Sequence, residues 1–301
     1  MRHIGHALAL FGLAVVAGCA STSLETTAAD SISAEAFEAP IALLSEGDTL
    51  RGTVTVAEGA GPHPTVLLLN GFEGWPEAPG AFADPVTEAG YNLVFVPYRG
   101  TWASDGEFST DHVLADVEAM IAFLRSPEAR TAYRVDPEAI ALWGVSFGGW
   151  AALSVAASDP DVECVAVQVV ANVGAIGRQW SEAEPYRAAW EQNLGLIEAN
   201  RPIRLEGGPT GAMGAIMEGA DDYDLVPLAP ALRGRTILMF GAEEDEVAPF
   251  AQHSQPVADA LEATGMESLT LVTAPGGHGD PRPEWTTELV RWLDDDCIEG
   301  S

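Results

Sequence analysis

The chain is 301 residues long and carries 45 acidic against 14 basic residues, a formal charge of -31 at pH 7. All 14 basic residues are arginines. So acidic a surface argues against nucleic acid and against anionic membrane surfaces as partners, since both are polyanions held by Lys and Arg. At 47% hydrophobic and 20% charged residues, the chain is long enough for one large core.

Residues 1–20 differ in character from the rest of the chain. Arg2 gives a short basic start, Ala7 to Ala17 is an uncharged apolar run, and small residues come next. This pattern predicts an export signal, too short to span a membrane. Val16-Ala17-Gly18-Cys19 resembles the lipobox of bacterial lipoproteins. The resemblance implies that 1–18 is a signal peptide and that Cys19 bears lipid. It places the protein outside the cytoplasm, lipid-anchored to the cell envelope (periplasmic or outer membrane if Gram-negative), with no other membrane contact. Residues 19–39, rich in Ser, Thr, Ala and Glu, read as a disordered tether to a domain spanning 40–301.

Within that domain, Ile41–Leu44 and Leu50–Val56 read as a strand pair around Glu46-Gly47-Asp48. Thr65–Leu69 is a continuous apolar strand, and Asn70-Gly71-Phe72-Glu73-Gly74-Trp75 is the loop that leaves it. A helix follows over Gly80–Ala89, with Pro85 suggesting its start. Asn92–Val96 is a further buried strand, and Thr110–Arg125 is an amphipathic helix with Val113, Val117, Met120, Ile121 and Leu124 on one face.

Ala139–Trp143 is a strand that runs into Gly144-Val145-Ser146-Phe147-Gly148 and then an Ala-rich helix. Val162–Val170 is the next strand. Residues 172–230 then hold no convincing strand and read as a helical cap insertion. In it, Pro185–Ala199 carries Tyr186, Trp190, Leu194 and Ile197 at helical spacing, a stripe suited to cover a pocket. Glycines 207, 208, 211 and 214 offer hinge positions after it.

Strands Thr236–Phe240 and Ser268–Val272, with helices from about Phe250 and from Pro283, close the pattern. The fold class is α/β: a doubly wound, mostly parallel sheet covered on both faces, with active groups at the C-terminal ends of its strands.

The strand–G-x-S-x-G–helix context marks Ser146 as a nucleophile lifted clear of the sheet. Such a Ser needs a His base, and the His needs a carboxylate. Only His253 and His278 follow Ser146. His278 lies in the loop Pro275-Gly276-Gly277-His278-Gly279 after the last strand and is the better base. His253 falls in a predicted helix. Asp245 leaves the strand Thr236–Phe240 and is the candidate acid, with Glu244 the alternative in the same charge run. The backbone N–H groups of Phe72 and Phe147 are candidates for an oxyanion hole. Trp75, Tyr186 and Trp190 are candidate pocket residues. No metal-ligand spacing is present, and the reading requires no cofactor.

Cys164 lies in a buried strand and Cys297 in an acidic tail. A disulfide between them is the alternative in an oxidising compartment, disfavoured because a central strand and a chain end rarely meet.

L-L-L-N-G-F, G-Y-N-L-V-F-V-P-Y-R-G, V-D-P-E-A-I-A-L-W-G-V-S-F-G-G, G-A-E-E-D-E-V-A-P and G-G-H-G together resemble the α/β-hydrolase superfamily. They are most similar to the branch of dienelactone hydrolases, acyl-aminoacyl and prolyl-oligopeptidase-like catalytic domains, and small esterases. The resemblance implies a Ser-His-Asp hydrolase of small-molecule carboxylic esters working through an acyl-enzyme. A small-peptide serine peptidase is the alternative, or a non-catalytic envelope lipoprotein that keeps the fold. Asn70 stands where the family commonly has His. Ser146 departs from the Cys nucleophile of dienelactone hydrolases and of acyl-CoA:amino-acid transferases in this branch.

Overall fold

The computed structural model describes residues 35–280 and 282–298. The expected signal peptide and Cys19 lie outside these residues. β1 (Phe37–Ser45) and β2 (Asp48–Val56) pair antiparallel. Their two-residue turn, Glu46-Gly47, has positive φ at both positions, the twist that suits a tight hairpin. β1 therefore begins at Phe37, inside the segment read as tether.

β3 (His63–Leu69), β4 (Asn92–Phe95), β5 (Val135–Val145), β6 (Cys164–Gln168), β7 (Thr236–Ala242) and β8 (Leu269–Ala274) are parallel to one another. The eight strands lie in the order β1-β2-β4-β3-β5-β6-β7-β8.

The apolar runs are continuous because both faces of the sheet are covered. Leu67, Leu69, Ile140, Leu142, Ile237 and Met239 point into one core, against α2 (Thr110–Leu124), α4 (Phe147–Ser158) and α9 (Ser254–Ala263). Their neighbours Val66, Leu68, Ala141, Trp143, Leu238 and Phe240 point into the other, against α1 (Gly80–Glu88) and α10 (Pro283–Trp292). Each such side chain, fully buried, stabilises the fold by about 1.5–3 kcal/mol relative to exposure. The α2 stripe is buried as its spacing predicts, and Ser109 caps the helix by accepting the His112 N–H. A short α3 (Pro127–Tyr133) follows. Helix α1 starts at Gly80 and keeps Pro85 inside it rather than at its start.

Between β6 and β7 the chain forms α5 (Val173–Glu182), α6 (Glu184–Asn200), α7 (Gly208–Glu218) and the short α8 (Ala229–Leu232). Asn172 closes the base of this insertion. Its Nδ2 donates to Asp224 Oδ1 at 2.7 Å, and its Oδ1 accepts the Leu225 N–H at 3.2 Å.

The α6–α7 connection is bonded to the core loop after β4. Trp102 N–H donates to Pro202 O, Arg204 N–H to Gly100 O and Phe108 N–H to Arg204 O, each at 2.7 Å. Ile203 and Leu205 are buried beneath. Of the glycines expected to offer hinge positions, Gly211 and Gly214 lie inside α7, Gly207 and Gly208 stand at its start with positive φ, and the chain just before Gly207 is tied down.

Cys164 and Cys297 form a disulfide with Cα atoms 5.8 Å apart, against the expectation that they stay unpaired. The last turn, Leu293–Ile298, is not a free acidic tail. It folds back under the sheet, burying Leu293 and Cys297 while Asp294, Asp295 and Asp296 face solvent.

Candidate active site

Ser146 sits between β5 and α4 with φ 55° and ψ -115°, a region that a non-glycine residue enters only when its surroundings hold it there. Here the Ser146 N–H donates to Gln168 O at 2.8 Å, and its carbonyl accepts Gly149 N–H at 3.0 Å. A Cβ on Gly148 would collide with Leu69 O, and one on Gly144 with Gly148 O. The tight passage of α4 over β3 and β5 therefore dictates both glycines of the motif.

His278 meets Ser146 across the C-terminal edge of the sheet. Its Nε2 lies 3.0 Å from Ser146 Oγ, and its Nδ1 lies 2.7 Å from Asp245 Oδ2. Asp245 is buried, and its second oxygen accepts the N–H groups of Val247 at 2.9 Å and Ala248 at 2.8 Å. These two bonds aim the carboxylate at the imidazole. The arrangement gives Nδ1–H to Asp245 and leaves Nε2 free to accept the Ser146 proton, the geometry a nucleophilic hydroxyl requires.

Glu244 is held elsewhere. It accepts the Gly276 N–H through its carboxylate and donates its own N–H to Gly276 O, so it braces the His278 loop rather than the ring.

That loop has further supports that the sequence did not reveal. The buried Arg282 guanidinium donates to Asp280 O at 3.1 Å, Pro275 O at 3.2 Å and Gly277 O at 2.9 Å, and lies 4.4 Å above the Trp285 ring. Asp280 accepts the Gly277 N–H at 2.7 Å. Only the density of Gly and Pro around His278 hinted that this loop would need bracing.

His253 precedes the first residue of α9 and is buried, its side chain turned from the helix so that Nδ1 accepts the Asn172 N–H at 3.1 Å. Burial draws its pKa down to about 4, partly offset by the nearby Asp245 carboxylate. It is neutral in the folded protein at pH 7 and contacts the base of the insertion, not Ser146.

In the unfolded chain His253 titrates near its ordinary 6.5. Between that pH and about 4 only the unfolded state takes up this proton, so stability falls as pH falls through the window. Relative to a His253→Gln variant, the wild type is expected to lose on the order of 3 kcal/mol from pH 6.5 to 4. Urea unfolding of both proteins at the two pH values measures it. Parallel losses in the two would exclude this coupling.

Ser146 opens into a cavity of about 430 Å³. Phe72, Phe108 and Phe147 line it from the core, and Trp180, Tyr186, Trp190 and Leu194 from α5 and α6. Ile197, expected on the same wall, is buried in the core instead.

No acceptor among the described residues takes the N–H of Phe72 or of Phe147, and both residues border the cavity. The Phe72 loop is steadied by Tyr98, whose hydroxyl donates to Asn70 O at 3.2 Å. Trp75 does not line the cavity. Beyond Gly74, at φ 63°, the chain crosses to the other face of the sheet, where Trp75 packs on Phe82 and Phe95 at 5.5 and 6.4 Å.

Two families match the sequence: X-Pro dipeptidyl-peptidase (S15 family) over residues 46–182, and BAAT / acyl-CoA thioester hydrolase C terminal over residues 118–280. An uncharacterized 31.7 kDa protein in the traX-finO intergenic region of Escherichia coli is 36% identical over 127 residues, 42% of this chain and 43% of that protein. The chain thus aligns with less than half the length of the curated relatives it matches.

In structure, α/β hydrolase GrgF from Penicillium sp. sh18 superposes with a TM-score of 0.63 at 17% identity, covering 87% of this chain and 99% of the other. The acylaminoacyl peptidase of Pyrococcus horikoshii superposes with a TM-score of 0.64 at 15% identity, covering 88% and 42%. The sheet order, the strand-to-helix turn at Ser146 and a family match over more than half its residues agree: the chain belongs to the BAAT / acyl-CoA thioester hydrolase C-terminal family of α/β-hydrolases.

Proposed function

We propose that this protein is a serine hydrolase of carboxylic esters with an apolar acyl group. The observation that carries the reading is the hydrogen-bonded chain Ser146–His278–Asp245 at the foot of the aromatic cavity. As Ser146 Oγ attacks the ester carbonyl, His278 Nε2 takes its proton and Asp245 stabilises the imidazolium. The carbonyl oxygen, now negative, is met by the N–H groups of Phe72 and Phe147. His278 then passes the proton to the leaving alkoxide, which departs and leaves the acyl group on Ser146. A water molecule, deprotonated by the same imidazole, releases the acid.

A fluorophosphonate probe is expected to label the protein at Ser146, and aryl esters are expected to turn over while aminoacyl amides do not. The S15 match and the acylaminoacyl peptidase likeness favour a second reading, cleavage of small peptides, which the amide arm of that experiment would reveal. Absence of labelling would point to a non-catalytic role for the fold.

The proposal extends to location. The apolar segment before Cys19 supports export and lipid attachment at that residue, and the Cys164–Cys297 disulfide supports an oxidising compartment. Labelled palmitate is expected in the full-length protein and not in Cys19→Ser. A mature N-terminus beyond Ala20 without lipid would mean a soluble secreted enzyme instead.

A further inference from the structure

Two residues from different loops, Glu73 and Trp102, hold backbone conformations that side chains rarely adopt, with φ 70° and 48°. Strain of this kind persists only where the surroundings hold it, and it gathers where geometry is put to use. The two are bonded to each other: Trp102 Nε1–H donates to Glu73 O at 2.9 Å.

The turn that contains Glu73 also carries the N–H of Phe72. Gly71 to Gly74 is closed by Gly74 N–H, which donates to Gly71 O at 3.1 Å. The positive φ falls at the third residue of this turn, where glycine is the usual occupant. Its first residue abuts the nucleophile, since a Cβ on Gly71 would stand 3.2 Å from Ser146 Cβ. A second donor, Asn70 Nδ2, reaches the same Gly71 O at 3.3 Å.

Peptide planarity turns these bonds into an aiming device. Glu73 C=O and Gly74 N–H belong to one rigid trans peptide, and Gly71 C=O and Phe72 N–H to another. The C=O and N–H of such a unit point in opposite directions, so whatever anchors the carbonyl sets the direction of the N–H. The Trp102 indole fixes the first peptide, its Gly74 N–H fixes the second, and the far end of the second is the Phe72 N–H. Hydrogen bonds in series also polarise one another, which strengthens the last donor. Trp102 is itself held from the insertion, by its own N–H donating to Pro202 O at 2.7 Å. Its side chain does not line the cavity.

We infer, resting on the serine-hydrolase reading, that Trp102 is a positioning residue: it aims the Phe72 N–H at the oxygen on which negative charge develops. It acts through the loop and does not touch substrate, so its effect falls on the transition state and spares ground-state binding.

Removing one oxyanion donor outright costs about a hundredfold to a thousandfold in kcat. Trp102→Phe leaves the donor in place and loosens its aim. For p-nitrophenyl butyrate, kcat is therefore expected to fall about tenfold to a hundredfold, with KM held within about threefold. Arg201→Gln removes the 3.5 Å ion pair to the Glu73 carboxylate and leaves the backbone bonds alone. It is expected to keep kcat within about twofold.

The thiono analogue of the same ester separates aim from structural damage. Its sulfur is larger than oxygen and a weaker acceptor, so an N–H placed about 2.7–3.1 Å from an oxyanion helps it little. The wild type is expected to prefer the oxo ester strongly. Trp102→Phe is expected to lower the oxo-to-thiono ratio of kcat/KM by about tenfold or more. Loss of folded enzyme scales both rates together and leaves that ratio where it was. Trp102→Leu, an apolar side chain without the donor, serves if the phenylalanine variant does not fold.

An unchanged ratio in the Trp102 variant overturns the inference, and so does a loss in Arg201→Gln as large as that in Trp102→Phe. A wild type with no preference for the oxo ester overturns it too. Fluorophosphonate labelling of the wild type keeps the two proposals apart. A labelled enzyme whose ratio does not move defeats the role of Trp102 alone, and an unlabelled one defeats the hydrolase reading beneath it.

Discussion

Replacing Ser146 or His278 with Ala is expected to lower ester turnover by about six orders of magnitude, to the level left by binding and the oxyanion contacts alone. The two act as a unit. Ser146 Oγ reaches its proton acceptor only through Nε2 at 3.0 Å, and an imidazole with no hydroxyl beside it has nothing to activate. The double variant is therefore expected to be scarcely worse than either single one. Melting temperatures should stay near that of the wild type, since neither side chain is part of the buried core. Turnover surviving in His278→Ala would move the base to another group, and His253 would be the first to examine, because it is the other His after Ser146 in the chain.

Asp245→Asn is expected to cost about four orders of magnitude, while Glu244→Gln stays within about tenfold. The geometry explains the asymmetry. Asp245 Oδ1 is committed to two backbone N–H groups, so an amide at this position would turn its NH₂ toward His278 Nδ1. That nitrogen would have to accept, Nε2 would carry the proton, and the ring could no longer take one from Ser146. Among the described residues the Glu244 carboxylate hydrogen-bonds Gly276, and glutamine retains an oxygen for that contact. Steady-state kinetics across pH compare the two variants. The opposite ranking would make Glu244 the acid.

Much of this arrangement was readable in the chain because it is local. Five consecutive residues, 144–148, carry the requirement for a strand that turns sharply into a helix, and β5 and α4 flank them as expected. The apolar runs at 65–69 and 236–240 announce strands buried on both faces. What was illegible depends on where the chain goes in space. Trp75 sits in a loop that supplies a pocket residue, Phe72, yet a positive φ at Gly74 carries it to the other face. Cys297 looked like part of a solvated acidic end, since only the fold shows the last turn lying under β6.

Arg282 is the clearest case. A lone Arg after Gly-Asp-Pro has no periodic signature, and its contribution is three hydrogen bonds to carbonyls that no sequence pattern marks.

The disulfide also decides how the molecule responds to being cut. Its two ends, Cys164 and Cys297, enclose the insertion, the Asp245 loop and the His278 loop, while Ser146 lies outside the ring. Surface connections are where proteases cleave. A single break between residues 168 and 245 would leave the fragment with Asp245 and His278 covalently fastened to β6, beside the strand that leads into Ser146. Such a nicked molecule would migrate as one species until reduced and could keep its site assembled, whereas a cut before Cys164 would leave only packing to hold the two parts together.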